Sequence, residues 1–549
     1  MARGLHRIGV LTTLSALVLT TTALQAAVTL AAAPAPSSAA AQPASETGLL
    51  SLATDLLGTA PPAVRSDRGA RMKTRSAASA TTAAPAAISP SATVAAASRP
   101  ANLLTNFDGT SSLDSAITNF GAEFEPPDQG LCVGNGFVVD MVNSAYRVYN
   151  TKGVTVAGPF NINKPFHDGF REFTSDPRCY FDASTNTWFA VILFLNDTFT
   201  ASRLDIAVNS TGDPTKDWRV FRIDSTHKNA SGCPCIGDQP TLGIDGSNIY
   251  VTTNEFSLIV PQFNGAQIYA IDKHDLVSNA KNVHFVHFTN LFIGGAQAAS
   301  VQPALTTGSP GAEYFLSSLD PVNAGDNRIG VWALTNASAV GSGHKPTLSS
   351  VVIESEPYSI PPPALQKGAS STLDPDDDRM QQVQFIGGAI WGALGTSVQP
   401  ARDSEPRAGI AWFRVTPELG GSRLRKASMA DQGYIQSRGE DLIYPAIQAD
   451  NQGHAAVVFT LTGANRFPSA AYDVLSGEGD TFGPPIVAAA GTGPYDPTAT
   501  RWGDYSFAVL DPTTDSVWMA TEYIPPVSSQ TPDGLANWGT RVLQVSLQN

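Results

Sequence analysis

Asp238-Gln-Pro-Thr-Leu-Gly-Ile-Asp-Gly-Ser-Asn-Ile-Tyr-Val-Thr-Thr-Asn-Glu-Phe256 is the stretch from which the rest of the chain can be read. A polar pair stands beside a proline, an apolar strand follows, and Asp-Gly-Ser-Asn supplies a turn. A second, stronger strand of β-branched and aromatic residues then returns. The same order recurs about every 64 residues, a period that marks a repeat architecture. Pro127-Asp128 leads to Phe137–Tyr149, and Asp176-Pro-Arg-Cys leads to Thr187–Leu195. Gln302-Pro-Ala-Leu leads to Ala312–Leu319, and Gln381-Gln382-Val leads to Ala389–Gly395. Tyr444-Pro-Ala-Ile leads to His454–Leu461, and Asp504-Tyr-Ser leads to Ser516–Tyr523, which makes seven units.

Two units parse into four strands each. The third gives Thr241–Ile244, Ile249–Thr253, Gln267–Ile271 and Val283–Phe288; the fourth gives Val301–Thr306, Glu313–Ser318, Ile329–Leu334 and Leu348–Glu354. Seven similar four-stranded units predict an all-β fold over residues 101–549, a seven-bladed β-propeller. The last unit is one strand short, with only Tyr505–Leu510, Val517–Tyr523 and Arg541–Leu547 before the chain stops. Asn102–Phe107 is an orphan strand-like stretch ahead of the first unit. Closing a ring removes an unpaired edge, so this N-terminal strand is expected to complete the seventh blade, with Leu103, Leu104 and Phe107 buried.

The N-terminus predicts export. Arg3, His6 and Arg7 form a positive head, Ile8 to Ala27 is uncharged and apolar, and small residues run through Ala33. That order is a signal peptide over 1–33, which makes the mature protein secreted and extracellular. A retained membrane anchor is the alternative, and no later stretch is long and apolar enough to cross a bilayer. Residues 34–100 are rich in Ala, Pro, Ser and Thr and cannot bury enough apolar surface to order themselves. They are expected to form a disordered pro-region or linker, with Leu49–Leu57 as its one short helix. The net charge of −14 excludes a nucleic-acid partner, which would require a basic face.

There are four cysteines. Cys132 and Cys179 occupy similar points of neighbouring repeats and can pair, leaving Cys233-Pro-Cys235 as a tight local bridge; reduced, buried thiols are the alternative.

Pro126-Pro-Asp-Gln-Gly, Ser175-Asp-Pro-Arg, Phe181-Asp-Ala-Ser-Thr-Asn-Thr-Trp188 and Asp238-Gln-Pro resemble a secreted bacterial family of the sialidase-like β-propeller superfamily. The likeness continues through Pro361-Pro-Pro, Leu373-Asp-Pro-Asp-Asp-Asp-Arg379 and Trp502-Gly-Asp-Tyr-Ser506, and it spans 101–549. It implies the fold and the compartment; the family has no settled activity. The superfamily's Asp-box is Ser-x-Asp-x-Gly-x-x-Trp. Asp182–Trp188 and Asp511–Trp518 keep the Asp and the Trp but neither the spacing nor the Gly. No Phe-Arg-Ile-Pro start is present. Both departures argue against sialidase activity itself.

In a propeller the innermost strands begin around the central channel, so the repeated polar residues are expected to converge on one funnel. Asp176, Arg178, Asp238, Gln239, Gln302, Gln382, Arg501 and Tyr505 are the expected substrate-binding set. Asp128 and Asp504 are candidate paired carboxylates for acid/base work on a glycosidic bond, and Tyr444 beside Glu440 is a candidate nucleophile with its carboxylate. Two arginines can hold a carboxylate bidentately. The same polar residues can equally cap a neighbouring blade's backbone. Asp374, Asp376 and Asp378 are a candidate Ca²⁺ site, although a solvated loop has the same composition; no other cofactor is expected. Two functions fit this reading. One is a glycan-directed protein, a glycoside hydrolase or lyase with its site in the funnel. The other is a non-catalytic module for a glycan or a cell-surface protein. In either case the protein is expected to be a monomer.

Overall fold

The computed structural model describes residues 43–53, 102–122, 124–306, 310–320, 324–475, 481–495, 501–526 and 537–548. The expected signal peptide and most of the expected linker lie outside these. Among the described residues no helix is long and apolar enough to cross a membrane.

The described chain is nearly all β. Among the described residues the strands fall mainly into seven consecutive antiparallel groups, referred to below as sheets; the third, fourth and fifth are joined into one 13-stranded sheet by short parallel pairings between their first strands, and the other four are separate four-stranded sheets. The first holds Gly130–Gly134, Phe137–Met141, Ala145–Asn150 and Thr155–Asn161. The second holds Phe173–Asp182, Thr187–Leu195, Ser202–Asn209 and Arg219–Asp224. The third is Cys235–Ile244, Asn248–Ser257, Phe263–Asp272 and Asn282–Thr289. The fourth is Gln302–Thr306, Ala312–Ser318, Asp326–Thr335 and Thr347–Tyr358. Met380–Ile386, Ala389–Val398, Arg407–Gly420 and Arg423–Ile435 form the fifth. Asp441–Ala449, Ala455–Gly463, Arg466–Leu475 and Ile486–Ala489 form the sixth.

The seventh has three strands from the C-terminal end, Phe507–Leu510, Val517–Tyr523 and Gly539–Ser546, and Asn102–Ser111 pairs antiparallel along the last of them. The expected pairing beside Arg541–Leu547 is therefore present. Its expected burial is only partly so. Phe107 packs on Tyr149 of the first sheet and Trp518 of the seventh, while Leu103 and Leu104 face solvent at 41% and 53% exposure. The register shifts between Leu103 and Thr105, which breaks the alternation at that end of the strand and leaves both leucines outside the core.

The first strands of the first, second, third, fourth and sixth sheets are almost wholly buried, polar residues such as Asp176, Arg178 and Gln239 included. Each first strand touches the first strand of the next sheet, and that of the seventh returns to that of the first. The apolar core is divided between neighbouring sheets. Cys132, Val139, Trp188 and Ala190 fill the space between the first and second sheets. Tyr314, Leu316, Ile390 and Phe413 join the fourth to the fifth, and Val138 and Tyr149 meet Trp518 and Val542 between the first and seventh. The Cys132–Cys179 disulfide crosses the first of these cores with a Cα–Cα distance of 5.5 Å, and Cys233–Cys235 forms the local bridge.

One expectation is overturned. Ala44–Ser51, assigned to a segment without structure, is a strand that pairs antiparallel with Asn282–Thr289 as a fifth strand of the third sheet. Leu49–Ser51 is thus extended rather than helical, and residues 54–57 lie outside the described set. The edge of the third sheet offers unpaired backbone groups, and a segment with few large apolar residues can satisfy them through its own backbone. Of its side chains, Leu50 is fully buried.

Candidate functional site

The site begins with a backbone irregularity that the sequence writes in proline. Proline has no N–H to give to a ladder, and in Asp176-Pro177, Gln239-Pro240 and Tyr444-Pro445 the strand register shifts around the proline. At these bulges Asp176, Gln239 and Tyr444 sit at φ of 61°, 54° and 56°, and Asp128 sits at 46° just ahead of its own strand. Bulges re-aim side chains, and non-glycine residues hold left-handed backbone only where their surroundings enforce it.

The result is a buried acidic knot. One carboxylate oxygen each from Asp128, Asp176 and Asp504 lies within 4.8 Å of the others. Asp128 accepts the backbone N–H of Asp504 at 2.7 Å through Oδ1, and the Asn143 amide at 2.6 Å through Oδ2. The Asp176 N–H donates to Asn143 Oδ1 at 2.7 Å. Arg501 forms an ion pair with Asp504. Burial opposes the Arg501 charge, but the carboxylates of Asp128, Asp376 and Asp374 outweigh it and hold its pKa above the usual value.

Beside the knot, the Arg178 guanidinium lies 3.4 Å from the centre of the Tyr505 ring, and its Nε donates to Pro240 O at 3.4 Å. Burial lowers the Arg178 pKa. Arg178, Tyr505, Gln302 and Gln382 line one small cavity. Gln382 is committed across that cavity: its amide donates to Ala508 O and its carbonyl accepts the Ala508 N–H at 2.9 Å, tying the fifth sheet to the seventh.

A second group sits next to the knot. Gln239 Oε1 accepts from Arg379 and, at 3.2 Å, from Asn254. Arg379 is held by Asp377 and Asp376, and the Asp238 charge acts on it as well. Burial pushes the Asp376 carboxyl up to about 7, Arg379 opposes this and Asp377 adds to it. Asp377 is instead lowered, because Arg379 outweighs its burial. The Tyr444 hydroxyl donates to Asp374 O at 2.8 Å.

Of the expected residues, Asp128, Asp176, Asp504 and Arg501 lie in the knot, Arg178, Tyr505, Gln302 and Gln382 line the cavity, and Gln239 and Tyr444 contact Arg379 and Asp374. Glu440 is drawn to Ser437 and Arg466, in the hairpin after its own strand, and does not join Tyr444. Asp374, Asp376 and Asp378 do not share one cation-sized space. Asp376 faces Arg379, while Asp378 is buried against Asp320, which with desolvation raises its pKa well above the usual range. Asn143 was missed by the sequence reading. Its counterpart Asn254, also at the end of a sheet's second strand region, accepts the Ser300 N–H at 2.8 Å just as Asn143 accepts that of Asp176. That recurrence was visible in the sequence.

No protein-family model matches the chain, and no curated protein matches it. Solved structures do. The parainfluenza virus 5 hemagglutinin-neuraminidase ectodomain aligns at TM-score 0.32 and 8% identity, over 66% of this chain and 78% of that one. An α-L-arabinofuranosidase from Fusarium graminearum aligns at 0.32 and 8%, over 80% and 97%. Drosophila Plexin A in complex with Semaphorin 1b aligns at 0.34 and 8%, over 82% and 88%.

Proposed function

We propose that the seven sheets are the blades of a closed seven-bladed β-propeller, secreted as a monomer, that binds a glycan at the axial end where its first strands begin. The observation that carries this is the convergence of Asp128, Asp176 and Asp504 with Arg501, beside Arg178 stacked on Tyr505. Fixed acceptors, guanidinium donors and an aromatic face suit a ligand with many hydroxyls or carboxylates.

Binding fits this geometry better than hydrolysis by Asp128 and Asp504. Oxygens of the two lie within 4.8 Å, and Asp128 accepts the backbone N–H of Asp504. Glycosidase carboxyl pairs stand about 5–5.5 Å apart when retaining and about 6.5–9.5 Å when inverting. A catalytic role would fall instead to Asp376, whose carboxyl at about 7 suits a general acid.

The test is a screen of the purified protein against polysaccharides, scoring binding and product, with and without a calcium chelator. Binding that weakens in Arg178→Lys and Asp504→Asn supports the site. Product formation that disappears in Asp376→Asn adds catalysis, and sensitivity to chelator assigns calcium. A folded protein that binds no glycan defeats the proposal.

A further inference from the structure

Cys233-Pro234-Cys235 is not accounted for by fold stability or by the axial site. A cross-link stabilises mainly by restricting the unfolded chain, and the restriction grows with the loop it closes. Cys132–Cys179 spans 47 positions and joins two sheets, whereas Cys233–Cys235 spans only 2. The backbone around the second bridge is already held. The Cys233 N–H donates to Ala230 O at 3.2 Å, the Cys235 N–H to Thr226 O at 2.8 Å, and Pro234 O accepts the Leu258 N–H at 2.8 Å. The two sulfurs would stay in place without the bond between them.

Their surroundings are those of a reacting group. The Asn264 amide reaches both sulfurs, 3.0 Å from Cys235 Sγ and 3.4 Å from Cys233 Sγ. Glu255 Oε1 lies 3.6 Å from Cys233 Sγ, and the other Glu255 oxygen is hydrogen-bonded to His227 Nδ1. His227 Nε2 meets the Tyr269 hydroxyl at 3.2 Å. Glu255 is 4% exposed and Cys235 is fully buried, while Cys233 is partly open to solvent.

We propose that Cys233–Cys235 is a thiol–disulfide exchange centre acting on dithiols, with Glu255 and His227 moving the proton. Only Cys233 is accessible, so a substrate thiolate attacks Cys233 Sγ. The new S–S bond forms as the Cys233–Cys235 bond breaks, and the electron pair leaves on Cys235 Sγ, where the Asn264 N–H receives it. The substrate's second thiol then gives its proton to Glu255 and attacks its own sulfur in the mixed disulfide, expelling Cys233. Glu255 returns that proton to Cys233, and the Cys235 thiolate takes up the proton lost by the first substrate thiol. The substrate is oxidised to a disulfide and the chain's disulfide is reduced to two thiols; the reverse reaction reduces a disulfide. Leaving-group stabilisation and a positioned base are what such exchange requires.

The experiment treats the native full chain with dithiothreitol, quenches with a thiol-alkylating reagent and locates the labels by mass spectrometry. Cys233 and Cys235 are expected to be labelled while Cys132 and Cys179 remain paired. Glu255→Gln is expected to slow labelling at least about 10-fold and His227→Gln to shift its pH profile. The Cys233→Ser/Cys235→Ser double variant is expected to unfold at the wild-type temperature. Equal resistance of both disulfides overturns the proposal, as do wild-type exchange in both Glu255→Gln and His227→Gln, or loss of the fold in the cysteine double variant.

Discussion

Phe107→Ala tests whether the N-terminal strand ties the first sheet to the seventh. Phe107 lies on Asn102–Ser111, with its ring 5.0 Å from Tyr149 of the first sheet and 6.4 Å from Trp518 of the seventh. Truncating a fully buried phenylalanine costs about 3–5 kcal/mol. Phe107 is half-buried, so about 2 kcal/mol is expected, including both aromatic contacts. Leu104 on the same strand is 53% exposed, and Leu104→Ala should stay within about 0.5 kcal/mol of wild type. Urea unfolding followed by tryptophan fluorescence reads both. A chain beginning at residue 98 keeps the strand, whereas one beginning at residue 112 bares the edge of Gly539–Ser546 and should lose several kcal/mol, at about 1 kcal/mol for each backbone hydrogen bond. The reasoning is refuted if Leu104→Ala costs as much as Phe107→Ala, or if the two shortened chains unfold at the same urea concentration.

Cys132→Ala/Cys179→Ala should cost about 4 kcal/mol, from a loop of 47 positions, whereas Cys233→Ser/Cys235→Ser, whose bridge spans only 2, should leave the urea midpoint at the wild-type value. Gln382→Ala leaves the Ala508 N–H and C=O without their partner on the fifth sheet and should cost about 1–3 kcal/mol in thermal or urea unfolding. Burial pushes the Asp473 carboxyl up to about 7, against the N–H groups of Val474 and Gly483. Between its unfolded value near 4 and this folded value the native state holds the extra proton. Stability is therefore greatest at the acid end of that window and falls as pH rises toward 7, by on the order of 1 kcal/mol per pH unit for this group. Asp473→Asn should flatten that part of the stability–pH curve.

The repeat was legible because each unit carries a proline or polar residue on its first strand, where the ladder breaks, and a stronger apolar strand follows after a turn. Asp176-Pro177 and Gln239-Pro240 marked their bulges in this way. The missing fourth strand of the last unit pointed to Asn102–Ser111 for a similar reason, since an open edge must be covered. What stayed hidden depended on contacts between distant segments. Ala44–Ser51 attaches chiefly through backbone bonds to Asn282–Thr289, which leave no periodic side-chain pattern. Glu440 stands four residues before Tyr444, yet Arg466 from the following hairpin claims its carboxylate. Spacing along the chain also grouped Asp374, Asp376 and Asp378, whereas Arg379 and Asp320 pull two of them apart.

The most direct measurement of the central claim is titration of the folded protein with the polysaccharides of the screen, comparing wild type with Arg178→Lys and with a remote control, Leu104→Ala. Arg178 lies over the Tyr505 ring beside the acidic knot, and Leu104 lies on the outer strand of the seventh sheet. Saturable binding by wild type and by Leu104→Ala, weakened about 10-fold or more by Arg178→Lys, is the predicted result, since a guanidinium that stacks and donates in a fork is not replaced by an ammonium. Equal binding by all three proteins, or none by the wild type, would contradict a glycan site at the axial end.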